Sequence, residues 1–156
     1  MTYFLALGDY AYSSWSLRGW LLFEKFDIAR DSRMLDFSSH LSVAEQLPEL
    51  SPARTVPTMK TPEGAIVSES LSMAEELASR HPDAGIWPRD PKARAIARTL
   101  AAEMHSGFAA LRTDCPMNLR TAYSDAAPSD AVLADLDRLE VIWAHARASC
   151  GGEGPW

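Results

Sequence analysis

A stretch rich in proline and glycine divides this sequence of 156 residues into two parts of different character. Residues 82–89 contain two prolines and one glycine, a composition typical of a linker between domains. Before the stretch, short β-prone runs alternate with helical patterns, whereas the sequence after it is rich in alanine and apolar at helical spacing. We therefore predict a mixed α/β domain over residues 1–81 and an all-α domain over residues 90–156.

The first part is predicted to follow the order β-α-β-α-β-β-α. Apolar residues from Tyr3 to Leu7 indicate a buried strand, and serine caps then indicate a helix that begins near Ser14 or Ser16 and ends around Phe26. The remaining signals are a weak strand at 28–35, a polar loop at 36–42, and a hairpin formed by 55–60 and 65–67. A capped amphipathic helix then follows the cap residues Ser68-Glu69-Ser70 and ends before His81-Pro82.

The second part is predicted to contain two long helices. Apolar residues recur at spacings of three or four from Ile96 to Leu111 and again from Val132 to Trp143. Two helices make a thin domain with exposed apolar stripes, and the glycine-rich end of the sequence finishes on the aromatic Trp156. We therefore expect either that the natural folding unit is longer or that a partner chain covers the stripe.

Composition excludes several classes of protein. The 15 basic and 21 acidic residues give a net charge of −6, which argues against nucleic-acid binding, and a hydrophobic fraction of 47% is that of a folded globular chain. Two cysteines are too few for a disulfide framework, and four histidines form no ligand-spaced cluster, so we expect no metal. No apolar run is long enough for a membrane span and no signal peptide is recognisable, which favours a soluble cytoplasmic protein.

Three features point to one site in the first domain. The Ser13–Ser16 cluster at a helix start offers N–H groups, a positive dipole end and hydroxyls that would stabilise a thiolate, or it simply caps the helix. Val56-Pro57 is a candidate cis peptide bond that would free the Val56 backbone for an extended ligand, or it is a trans proline at an edge strand. Glu69-Ser70 could hold the two charges of an α-amino-acid head group, or it is an ordinary capping box.

In their order and gaps, these motifs resemble the glutathione S-transferase family. Tyr12-Ser13-Ser14-Trp15-Ser16-Leu17-Arg18 is similar to the Ser-Ser-x-Ser-x-Arg signature of zeta-like and related bacterial serine-type glutathione transferases, and Val56-Pro57 and Glu69-Ser70 resemble two further family motifs. Ile86-Trp87-Pro88 and Cys115-Pro116-Met117-Asn118 resemble a bacterial branch. The resemblance covers nearly the whole chain. It implies a thioredoxin-like N-terminal domain and an all-α C-terminal domain in a short form that lacks its last part.

The resemblance also implies roles for individual residues. Ser13, or Ser14 in its place, would donate a hydrogen bond to the glutathione thiolate. Val56 and Pro57 would pair with the cysteinyl part, Glu69 and Ser70 would hold the γ-glutamyl end, and the looser matches His40 and Arg54 would reach the glycine carboxylate, although a loop histidine is more often merely solvated. The electrophile pocket would be lined by Tyr12, Met104, Phe108, Leu111 and Met117, unless these apolar residues form the core instead.

The implied activity is that of a glutathione transferase. Such an enzyme conjugates the thiolate of its co-substrate glutathione to a small hydrophobic electrophile without a metal, and the resemblance implies a homodimer with a role in detoxification. Two alternatives stay open. The same thiolate could serve a glutathione-dependent isomerase or dehalogenase, or the chain could be a non-catalytic glutathione-binding or regulatory protein of this fold.

Overall fold

The computed structural model describes residues 2–125 and 127–151, so Trp156 and the expectation attached to it lie outside the described residues. The strands are β1 (Tyr3–Leu7), β2 (Arg30–Met34), β3 (Thr58–Lys60) and β4 (Ile66–Val67). The helices are α1 (Ser14–Glu24), α2 (Val43–Gln46), α3 (Ser70–Arg80), α4 (Pro91–Ser106), α5 (Ala109–Asp114) and α6 (Asp130–Cys150), with short 3-10 helices at Pro48–Leu50 and Pro82–Ala84.

These elements form two compact units. The first contains the described chain up to Ile86 together with the short segment Met117–Arg120. The second contains Trp87–Pro116 and the described residues from Thr121 onward. The chain therefore leaves the first unit after Ile86, returns to it for four residues, and leaves again.

The first unit is built on a mixed sheet with the strand order β2-β1-β3-β4. β1 pairs in parallel with β2 and antiparallel with β3, and β4 is antiparallel to β3. β1 is buried on both faces, because Tyr3, Leu5 and Leu7 belong to one hydrophobic cluster and Ala6 to another. The near-continuous apolar run in the sequence of β1 is the consequence of this position.

Helices cover both faces of this sheet. On one face, Phe23 of α1 and Met73 and Leu77 of α3 are fully buried in the cluster that contains Leu5. On the other face, Leu47 and Leu50 near α2 pack with Ala6. This is the thioredoxin-like arrangement that the resemblance implied, and the predicted order of strands and helices is confirmed.

The start of α3 differs from the prediction. Glu69, and not Ser70, occupies the N-cap position, and the Glu69 side chain makes no capping hydrogen bond. Ser70 is instead the first residue of the helix and is buried. The predicted capping box at this position is therefore wrong, and the role of the Ser70 hydroxyl has to be found elsewhere.

The described part of the second unit is helical, but its first predicted helix is interrupted. α4 ends at Ser106 and α5 begins at Ala109, because Phe108 adopts a left-handed conformation with φ of 62°. Gly107 fits before it, since an added Cβ would lie 2.9 Å from the carbonyl oxygen of Glu103. Burial of the Phe108 ring offsets the cost of this conformation. A single continuous helix through this region was a wrong prediction.

Candidate functional site

The predicted motifs gather at one edge of the sheet in the first unit. β1 ends at Leu7, and α1 begins beyond it at Ser14. β3 runs antiparallel to β1 with Thr58 opposite Ala6, so the chain at Pro57 enters β3 from the edge at which β1 ends. The first two motifs therefore lie at the same edge.

The start of α3 lies at this edge as well. β4 is antiparallel to β3, with Ile66 opposite Lys60 and Val67 opposite Met59. β4 therefore runs toward the end of β1, and α3 begins just beyond it at Ser70. The pairing of β3 with β1 and of β4 with β3 therefore brings together three motifs that are far apart in sequence.

Buried hydroxyl groups organise the start of α1. Ser13 is the N-cap, and its Oγ accepts a hydrogen bond of 3.3 Å from the backbone N–H of Ser16. The Oγ atoms of Ser13 and Ser16 lie 2.9 Å apart, and the N–H of Gly8 donates to Ser16 Oγ over 2.8 Å. Ser14 is only half-buried, and its hydroxyl makes no hydrogen bond within residues 2–125 and 127–151. Ser13 is thus the fixed hydroxyl of the pair and Ser14 the unpaired one.

The turn before β3 presents backbone groups. The Val56–Pro57 bond is cis, as the sequence suggested, and a second cis bond at Ser51–Pro52 was not anticipated. Val56 is half-buried, and in the described part of the chain neither its N–H nor its C=O makes a backbone hydrogen bond. An extended ligand could pair with both groups in the manner of an added strand.

Ser70 supplies a buried hydroxyl at the first turn of α3. The residue is 6% exposed, and its hydroxyl has no hydrogen-bond partner among the described residues. The first backbone N–H of this helix with an acceptor one turn earlier is that of Met73, which donates to the carbonyl of the N-cap residue Glu69 over 2.8 Å. The preceding N–H groups lack a helical acceptor. Such a combination of donors suits a carboxylate.

His40 and Arg54 are both exposed. Neither makes a hydrogen bond or an ion pair within the part of the chain that the structure describes. Each could therefore turn toward an anionic ligand, and their contact with the glycine carboxylate stays a prediction.

The segment that carries His40 is tied by side-chain hydrogen bonds. The Gln46 amide donates to the Asp36 and Leu41 carbonyls over 3.0 and 3.1 Å and accepts from the Asp36 N–H over 3.1 Å. Hydrogen bonds from Ser38 hold the pKa of Asp36 below its usual value. These bonds close the two ends of the segment around Gln46.

A returning segment adds an arginine to the first unit. Within Met117–Arg120, the Leu119 N–H donates to the Ala11 carbonyl over 3.1 Å. The Arg120 guanidinium donates to the Asp9 carboxylate over 2.9 Å. It also lies 5.3 Å from the centroid of the Tyr12 ring, which is half exposed. Sequence reasoning missed Arg120, although the neighbouring motif at 115–118 had marked this region.

The candidates for the electrophile pocket fall into different units. Tyr12 and Met117 belong to the first unit. Phe108 is buried in the core of the second unit with Leu139 and Ile142, and Met104 and Leu111 pack around that core. Phe108, Met104 and Leu111 therefore form part of a hydrophobic core, which was the alternative to a pocket. Their contact with an electrophile stays a prediction.

Within residues 2–125 and 127–151, no three His, Cys, Asp or Glu side chains are grouped so that they could hold a metal ion. Among the same residues, no helix is long and apolar enough to cross a membrane.

The family model described as "Glutathione S-transferase, N-terminal domain" matches residues 12–80. Residues 12–80 of the chain are thus similar to the N-terminal domain of glutathione S-transferases. It is 34% identical over 95 residues to a probable maleylacetoacetate isomerase of Caenorhabditis elegans, an alignment that covers 61% of this chain and 42% of that one. The chain thus spans less than half the length of this curated relative.

Solved glutathione transferases share the fold. A glutathione S-transferase from the Antarctic clam Laternula elliptica superposes with a TM-score of 0.63 at 21% identity, over 93% of this chain and 64% of that one. A Burkholderia glutathione transferase homolog solved with bound glutathione gives a TM-score of 0.67 at 22% identity, over 93% and 67%. At these identities the likeness establishes the fold, and the chain spans about two thirds of each structure.

Proposed function

We propose that this chain binds glutathione at the sheet edge formed by the starts of α1 and α3 and by Val56, and that it activates the glutathione thiol for attack on a small hydrophobic electrophile. The Ser70 hydroxyl carries this proposal, because Ser70 is a largely buried residue at this edge and its hydroxyl has no hydrogen-bond partner among the described residues. The Burkholderia homolog with bound glutathione supports the choice of ligand.

In the proposed mechanism, the protein lowers the pKa of the bound thiol. The N-terminal end of α1 presents its positive dipole end, and the Ser13 hydroxyl donates a hydrogen bond to the sulfur. Together these groups lower the thiol pKa from about 8.5 toward neutrality. The thiolate then attacks an electrophilic carbon, a carbon–sulfur bond forms, and the leaving group departs with its electron pair.

Titration calorimetry of glutathione into the full chain tests the binding site. We expect the Ser70→Ala variant to bind about 10-fold more weakly or worse, because a hydrogen bond to a charged group contributes about 1.5–3 kcal/mol. Ser79→Ala is the matched control, since Ser79 is an exposed serine in the last turns of the same helix. Its affinity should equal that of the wild type.

Two results would contradict the proposal. If the folded wild type gives no heat with glutathione, the chain is not a glutathione-binding protein. If Ser70→Ala and Ser79→Ala bind equally well, Ser70 does not contact the γ-glutamyl carboxylate.

A second candidate is a glutathione-dependent isomerase, which the similarity to a probable maleylacetoacetate isomerase favours. In this reaction the thiolate adds to the substrate, the adduct rotates about a single bond, and the thiolate leaves again. The two reactions differ in stoichiometry. Conjugation consumes one thiol per product, whereas isomerisation leaves the thiol concentration constant, so a thiol titration during turnover separates them.

The homodimer, the cytoplasmic location and the role in detoxification are further proposals that rest on the resemblance. Sedimentation of the purified full chain tests the first of them. A single species with the mass of one chain, over the concentration range used for activity, would contradict the homodimer.

A further inference from the structure

Ser16 forms the inner link of a chain of polar groups that ends at the proposed thiolate site. Gly8 N–H donates to Ser16 Oγ over 2.8 Å, and Ser16 Oγ lies 2.9 Å from Ser13 Oγ. Ser16 is 3% exposed and Ser13 is 9% exposed. All three residues are therefore shielded from water. In such a low-dielectric environment, hydrogen bonds polarise one another most strongly.

The hydroxyl protons and lone pairs of Ser13 and Ser16 limit the hydrogen bonds that these two groups can form. Each hydroxyl carries one proton and two lone pairs. Ser13 Oγ already accepts from the Ser16 N–H, so it has one lone pair left for a second donor. Ser16 Oγ accepts both from Gly8 N–H and from the Ser13 hydroxyl, so its own proton is not used among the described residues. When a thiolate accepts the Ser13 proton instead, the Ser16 hydroxyl can turn its own proton to the free lone pair of Ser13 Oγ, and both hydroxyls remain satisfied.

The usual partner of an N-cap would not produce this arrangement. In a capping box, the third helical residue is Glu or Gln, and its side chain returns to the N-cap N–H. Here the Ser13 N–H already donates to the Asp9 carbonyl over 2.9 Å. The third helical residue is Ser16, and its short side chain contacts the N-cap hydroxyl and Gly8 instead.

We propose that Ser16 is a positioning residue of the glutathione site, which relays the hydrogen bond of the Gly8 amide through its own hydroxyl to Ser13 and so directs the Ser13 proton at the glutathione sulfur. The inference rests on the proposed function. Ser16 touches neither the sulfur nor the electrophile in this scheme, and it acts only through Ser13.

The pKa of the thiol in bound glutathione tests the relay. We would follow the ultraviolet difference absorbance of the thiolate against pH, with saturating glutathione, in the full chain. For Ser16→Ala we expect the thiolate fraction below the pKa to fall about threefold to tenfold, the effect of one neutral hydrogen bond. Ser16→Thr keeps the hydroxyl, and a cavity of about 190 Å³ beside Ser16 has room for the added methyl, so its pKa should match the wild type.

A double variant distinguishes an effect of Ser16 through Ser13 from an effect of the substitution on the fold. If Ser16 acts through Ser13, the thiol pKa in Ser13→Ala with Ser16→Ala should equal that in Ser13→Ala alone. An additive effect would show that Ser16 acts through the fold, and this would overturn the relay. If Ser16→Ala fails to fold, Ser16→Cys replaces it. Its thiol is a weak donor, so the relay requires a raised pKa for Cys together with a wild-type pKa for Thr.

The relay and the proposed function fail in different ways. If glutathione binds to wild type and to Ser16→Ala with the same thiol pKa, the relay is overturned and the proposed binding site stands. A folded wild type that does not bind glutathione overturns both.

Discussion

Gly19 lies where α1 contacts its neighbours at the edge of the sheet that carries the three motifs. A Cβ added there would lie 2.6 Å from Cβ of Pro57 and 3.5 Å from the Met73 sulfur. Real Cβ atoms do not approach a ring carbon this closely. The absent side chain therefore lets α1 pack against the turn that presents Val56.

We predict that Gly19→Ala lowers the free energy of unfolding by about 1–3 kcal/mol, because overpacking forces neighbouring atoms to move. The predicted loss of stability is opposite in sign to the usual effect of replacing glycine by alanine in a helix. In a helix interior without such a contact, Ala is more favourable than Gly by about 1 kcal/mol. Urea unfolding measures the difference, with the exposed helical substitution Ser72→Ala as a control expected to stay within about 0.5 kcal/mol of wild type. A more stable Gly19→Ala variant would contradict the contact.

At the scale of elements, the segment between β2 and α2 depends on one side chain. The Gln46 amide closes both ends of this segment, which carries His40. Exposed hydrogen bonds of this kind protect a segment only weakly from local opening. The order of the segment is therefore set by Gln46 more than by burial.

We predict that Gln46→Ala accelerates amide hydrogen exchange at residues 36–42 and leaves exchange in β1 and α3 unchanged. The reason is that Gln46 accepts from the Asp36 N–H and ties two carbonyls of the segment. Gln46→Glu keeps the acceptor and loses both donations, so it should give an intermediate rate. Equal rates in all three proteins would show that other contacts order the segment.

Local sequence patterns predicted the helices and strands well. They could not predict contacts between residues that are distant in the sequence. A continuous apolar run and serine caps are short-range signals, and they located β1 and α1 correctly. The break at Phe108 was missed because apolar spacing continues through it, and burial of its ring in the tertiary core determines its left-handed backbone. The bond between Gly8 and Ser16, and the return of Arg120 to Asp9, depend on chain paths that no periodicity encodes.

At the scale of the whole molecule, exposed carboxylates link stability to acid. Hydrogen bonds to their ionised forms lower the pKa values of several of them in the folded chain. They include Asp36 bonded by Ser38, Glu45 bonded by Ser42 and Glu103 bonded by Arg138. A group with a lowered folded pKa contributes stability above its ordinary pKa and loses that contribution as the pH falls through the folded value.

We predict that the free energy of unfolding is nearly constant between neutral pH and about pH 5 and declines below the ordinary values of 4.5 for Glu and 3.8 for Asp. Urea unfolding at a series of pH values measures this. Glu103→Gln should flatten the acid limb, because it removes a carboxylate whose pKa is held below its usual value by the hydrogen bonds from Arg138. A stability that rises on acidification would contradict the assignment.

The return of Met117–Arg120 to the first unit has a consequence for protein engineering. A fragment cut at the linker, after Ile86, would be continuous in sequence but would lack this segment. It would lose the donor to the Ala11 carbonyl and the cation beside Asp9, both directly before the start of α1. The first unit therefore cannot be transferred as one continuous segment, and a chimera that exchanges the helical part with that of another protein of this fold has to keep these four residues with the first unit.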